Sequence, residues 1–163
     1  MSAYDPAAWS DFFVAEAGAA AALTGLVIVA VSINLSVIIK TSLLTGRAAE
    51  TITFLGGVLV LSTFGMVPGQ PLWLFACESL TVALGIGGIT GVILFKARSL
   101  HHPQEMRWLR LFFALAASLP LAAAGISLLA GGGGGLYWLV PGVVASLLGG
   151  IINSWILLVE ILR

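Results

Sequence analysis

The chain has 163 residues, of which 60% are hydrophobic and 9% charged, and its formal net charge is zero. A soluble domain carries about 25% charged residues, so this chain has too few to clothe a core in water, and its expected solvent is lipid. The neutral balance excludes a nucleic-acid footprint, and a single cysteine, Cys77, excludes an intrachain disulfide or a thiolate metal cluster and is expected to pack as a small apolar residue.

The opening residues 1–9 contain no Lys or Arg. They lack the basic region of a secretory signal, so the apolar run that follows is expected to be a retained membrane helix. Ser10 is a candidate cap for it. A bilayer core takes about 20 apolar residues per helix, within roughly 17–25. Five segments are long enough: residues 12–39, which can tilt or project outside, 51–67, at the short limit, 72–95, 108–130 and 137–162. The breaks between them have distinct chemistry. Residues 41–50 read as a short polar turn holding Gly46 and Arg47. Pro68-Gly69-Gln70-Pro71 cannot continue a helix, because its prolines lack donors. Residues 97–107 hold His101, His102 and Pro103 and read as a solvated loop. Gly131 to Gly135 is an unbroken glycine run. Pro120 is expected to kink the fourth helix, whereas Pro141 lies in the first turn of the fifth, where it is tolerated.

Charge gives the expected orientation. With five crossings, Lys40, Arg47, Lys96, Arg98, Arg107, Arg110 and Arg163 all fall on one side. The positive-inside rule makes that side cytoplasmic and puts the amino terminus outside. Trp9, Trp73 and Trp138 then mark the outer interface and Trp108 the inner one. The predicted fold is all-α, a single membrane domain over residues 1–163 in the cytoplasmic membrane.

Four polar residues interrupt the apolar runs. Glu78 lies about 9 Å into its helix from the outer side. A charge at the centre of a membrane helix costs about 2.5–3.5 kcal/mol, so Glu78 is expected to face protein or water. Thr81, Gly85 and Gly88 share its stripe, and small residues let another helix approach closely. Glu16 lies at a similar depth on the first helix. Asn34 shares the Glu16 face five turns later, and Gly18, Ala22, Gly25 and Ser32 occupy the opposite face. Asn153 continues the stripe Gly142, Ser146, Gly149 on the fifth helix. The expected picture has two polar levels, Glu16 with Glu78 outside and Asn34 with Asn153 inside.

At "AWSDFFVAEAGAAAALTGLVIVAVSINLS", "RAAETI" and "VPGQ" the chain resembles small bacterial membrane proteins that are sometimes named as modulators of a membrane-anchored AAA protease. The resemblance covers the first two helices and the PGQ turn and carries no catalytic motif. It implies a small bacterial membrane protein.

Two functional readings follow from the polar levels. In one, several copies form a path for a small cation or proton, with carboxylates at its mouth drawing cations and no buried Lys or Arg to neutralise them. In the other, the polar groups join helices at about 0.6 kcal/mol each, and the chain is a non-conducting accessory or regulatory subunit packed on a larger membrane complex. A lipid between the small-residue faces is a third use. Catalysis is not expected, since no nucleophile set, metal spacing or phosphate loop is present, and no cofactor is implied. The stripes predict a homo-oligomer.

Overall fold

A computed structural model describes residues 2–40, 42–97 and 104–161, and these are almost entirely helical. The helices are α1 (Ser10–Ile33), α2 (Leu35–Ile38), α3 (Ser42–Gly65), α4 (Leu72–Ala97), α5 (Gln104–Ala130) and α6 (Leu139–Ile161). All but the single turn α2 are long and apolar enough to cross a membrane. Arg98, His101, His102 and Arg163, to which the sequence assigns loop and terminal positions, lie outside the described residues.

Helices α3, α4, α5 and α6 form a four-membered ring in chain order, closed by α6 packing on α3. Helix α1 stands outside this ring, mainly against α3. Close approaches fix an antiparallel register. A Cβ on Gly57 would come within 2.7 Å of Ile86, one on Gly125 within 2.8 Å of the Ala76 carbonyl, and one on Gly142 within 2.8 Å of Leu121. Glycine at these points lets neighbouring helices touch, which is how helices associate where lipid supplies no hydrophobic drive. The interior carries apolar stripes at helical spacing. Phe54, Val58 and Leu61 supply α3, Phe75 and Ile86 supply α4, and Ala117, Leu121, Ala124 and Leu128 supply α5.

Three local structures depart from the sequence expectation. The first helix does not run unbroken to residue 39. Asn34 leaves helical geometry (φ −107°, ψ 18°) while its amide donates to the Ala30 carbonyl at 3.0 Å. The second long helix begins at Ser42 rather than near Thr51, so Arg47 and Glu50 are helical rather than part of a turn. Cys77 is exposed on the outer surface of α4 and does not pack inside.

The amino-terminal segment closes one end of the bundle. Asp5 caps the short 3-10 turn Pro6–Trp9 by accepting from the Ala7 amide at 3.1 Å, whereas Ser10 is the first residue of α1 and Trp9 stands at its cap position without a side-chain hydrogen bond. Gly131, Gly133, Gly134 and Gly135 all have positive φ, a conformation that glycine adopts without the Cβ clash. Ser127 holds this turn by accepting from the Gly135 amide at 2.8 Å. The Gly134 amide donates to the Tyr4 hydroxyl at 3.2 Å, and the Trp9 and Tyr137 rings meet edge-on at 5.0 Å.

Candidate functional site: polar groups at the two ends of the bundle

At the Trp9 end, α1 and α4 run in the same direction and touch through Phe13 and Phe75, whose ring centroids are 5.7 Å apart. Glu16 and Glu78 each follow three residues later, so both carboxylates sit one turn further along. They have different surroundings. Glu78 is half-buried and accepts from the side-chain amide of Gln70, eight residues earlier in the proline turn. The turn thus places its own donor over the start of α4. Glu16 is half-buried, and its Oε2 is shielded from solvent with no hydrogen-bond partner among the described residues. Thr81 and Gly88, which share the Glu78 stripe, are exposed on the outside of the ring. The buried face of α4 instead carries Phe75, Ser79, Ala83, Ile86 and Thr90.

The Lys40 end holds the larger polar cluster. Arg110 of α5 donates through Nε to both carboxylate oxygens of Glu50 of α3, at 3.1 and 3.0 Å, and through Nη2 to Oε1. Both side chains are buried. Arg47, one turn before Glu50, is 2% exposed and close enough for its charge to act on that carboxylate. Asn153 of α6 is buried beside them, sharing with Arg47, Arg110 and Phe113 a cavity of about 20 Å³, room for about one water molecule. Thr90 of α4 is fully buried, and its hydroxyl has no partner among the described residues. Each member of the four-helix ring therefore contributes a buried polar residue towards this end.

The expected inner level of Asn34 and Asn153 is divided by this arrangement. Asn153 joins the ion-pair cluster, whereas the Asn34 amide turns back on its own helix. The expectation that no buried arginine exists is overturned by Arg47 and Arg110, which lie inside the protein rather than at a solvated end. A sequence signal for them exists. Glu50 extends the α3 stripe Phe54, Val58, Leu61 by one turn, and Arg110 extends the α5 stripe Ala114, Ala117, Leu121 by one turn. A charge on the continuation of a buried stripe needs a buried partner.

Between the two ends the interior is apolar and filled by Phe54, Val58, Ile86 and Leu121. The buried hydroxyls of Ser79, Ser118 and Ser146 are each donated to a backbone carbonyl. No group of three or more His, Cys, Asp or Glu side chains converges for a metal ion among the described residues. No family model, no curated protein and no solved structure matches the chain.

Proposed function

We propose that the chain is a non-conducting accessory subunit of the cytoplasmic membrane, self-associating and packing against a larger membrane complex. The observation that carries this reading is the Glu50–Arg110 pair with Arg47 beside it. Among the described residues, the guanidinium groups of Arg47 and Arg110 and the Glu50 carboxylate occupy the interior at the Lys40 end, and packed side chains fill the ring above them. A small cation moving through the ring would meet two buried guanidinium groups and then an apolar plug. Beyond the carboxylates at the Trp9 end, the described interior is filled by Phe54, Val58, Ile86 and Leu121. What the fold offers outward is α1, packed on one side only. Its opposite face carries Gly18 and Gly25, where an added Cβ would meet nothing within 4 Å. Such a face suits another helix.

The orientation follows from the exposed bases. Lys40 and Lys96 lie at the same end, which the positive-inside rule makes cytoplasmic. Chain purified alone and reconstituted in liposomes is expected to pass no protons, sodium or potassium above empty vesicles. Affinity purification from native membranes in mild detergent is expected to bring a stoichiometric membrane partner, with a membrane-anchored AAA protease as one candidate. Steady cation flux through the purified chain overturns the reading and restores a path between copies.

A further inference from the structure

Between α1 and α6 an apolar cleft of about 250 Å³ opens over Leu55 of α3. Leu26 and Ala30 form one wall, Ile151 and Trp155 the other, and Ile38 of α2 bounds it. The one hydroxyl in its lining, that of Ser154, is already donated to the Gly150 carbonyl at 2.7 Å. The break at Asn34 brings Ile38 of α2 to one end of the cleft. Beyond it, Ile38 turns inward to pack with Leu44, Ala48 and Leu157, and Thr45 holds the Ile38 carbonyl at 2.9 Å.

Its dimensions select the occupant. The α1 lining extends from Leu23 to Val31, about 12 Å of helix at 1.5 Å per residue. Spread over that length, a cleft of about 250 Å³ is a narrow apolar slot that suits a slender polymethylene chain, whose carbons pack at about 3.5–4.0 Å from the atoms around them. A helix with its side chains is about 10–12 Å across and does not enter. Two residues beyond Ile38 stands Lys40, exposed and without an ion pair among the described residues. A basic side chain at the cytoplasmic surface attracts anionic headgroups.

We propose that this cleft holds one acyl chain of an anionic phospholipid, with its headgroup against Lys40. The site rests on the membrane reading but not on the absence of conduction. Its test is native mass spectrometry of the full chain, released from detergent after exposure to an equimolar mixture of phosphatidylglycerol and phosphatidylcholine. The wild type retains phosphatidylglycerol over phosphatidylcholine by about fivefold, the worth of one basic side chain at an anionic surface. Lys40→Gln brings the ratio close to one and leaves lipid bound. Ala30→Trp fills the cleft and lowers retention of both lipids. Leu26→Trp, at the exposed rim, serves the same purpose if Ala30→Trp does not fold. Equal retention of the two lipids by the wild type overturns the proposal. So does a preference that survives Lys40→Gln, or retention that survives a folded cleft-filling variant.

Discussion

Arg110 and Glu50 join α5 to α3, two helices that lie diagonally across the ring and do not pack against each other as neighbours. The pair therefore spans the interior and fixes the Lys40 end of the bundle across its width. It is also shared, because Arg47 acts on the same carboxylate. Removing one partner of a buried pair costs about 3–5 kcal/mol, since it strands a charge.

The sharing makes the two halves of the pair unequal. Glu50→Leu strands the Arg110 guanidinium, removes the carboxylate on which Arg47 also acts, and is expected to lose the full amount, about 3–5 kcal/mol. Arg110→Leu leaves Glu50 beside Arg47 and is expected to lose about half as much. The double variant Glu50→Leu with Arg110→Met is expected to recover much of the Glu50→Leu loss. Unfolding in mixed micelles, followed by tryptophan fluorescence, measures all three. Equal losses for the two single variants would show that Arg47 does not share the carboxylate.

Glycines divide by what lies opposite them. A Cβ on Gly125 would stand 2.6 Å from Leu80 and 2.8 Å from the Ala76 carbonyl oxygen, a backbone atom that cannot swing aside. Gly125→Ala is expected to destabilise by about 1–3 kcal/mol through overpacking. Gly88 faces open space, and Gly88→Ala is expected to be neutral or slightly stabilising. The same unfolding measurement compares them, and similar values for the two would contradict the α4–α5 packing described here.

The five long helices were legible because an uninterrupted apolar run of membrane length has few other uses. The turn at Pro68–Pro71 was legible because its prolines cannot donate. The ion pair was not legible as a pair. Glu50 and Arg110 are sixty residues apart, and local polarity made Arg47 and Glu50 read as a turn, although Glu50 continues a buried stripe. Asn34 was placed by extending an ideal helix through it, yet it is the residue at which that helix breaks. Gly87 and Gly91, four residues apart in α4, share a face by spacing, but only the fold tells that a Cβ added to Gly87 would stand 3.5 Å from Ser118 whereas one on Gly91 would meet nothing within 4 Å.

Hydroxyl groups separate helix-joining bonds from local ones. Ser79 donates across to the Leu121 carbonyl of α5 at 2.8 Å, whereas Thr81 donates to Cys77 within its own helix. Ser79→Ala is expected to lose about 0.6 kcal/mol and at most about 1.7, the range of such bonds between membrane helices. Thr81→Val removes no bond between helices and is expected to change stability by less than about 0.5 kcal/mol. A larger loss from Thr81→Val would point to a partner on the outer face of α4.

Glu78 ties the proline turn to α4 by accepting from Gln70. Glu78→Gln keeps the size and an acceptor, and it is expected to hold the fold within about 0.5 kcal/mol. Glu78→Ala removes the acceptor and is expected to lose about 1 kcal/mol, with faster proteolysis at the turn. Neither change is expected to alter liposome flux. A flux that is present in the wild type and falls with Glu78→Gln would return Glu78 to the mouth of a cation path.

Self-association is expected to run through the face of α1 that points away from α3. Gly18 and Gly25 are two turns apart on that face, with no atom within 4 Å of an added Cβ. Leucine fits there in a single subunit, so Gly18→Leu with Gly25→Leu is expected to leave the fold intact. In an assembly the added side chains would hold two backbones apart, where close approach is what lets membrane helices bind. Mass measurement in nanodiscs and mild detergent is expected to show more than one copy for the wild type and a smaller species for the variant. An unchanged species would move the contact to another face. The exposed stretch of α4 bearing Gly88 and Gly91 is then the next surface to vary by the same substitution. A wild type that is monomeric in both media would remove self-association from the proposed function, leaving α1 free for a different chain.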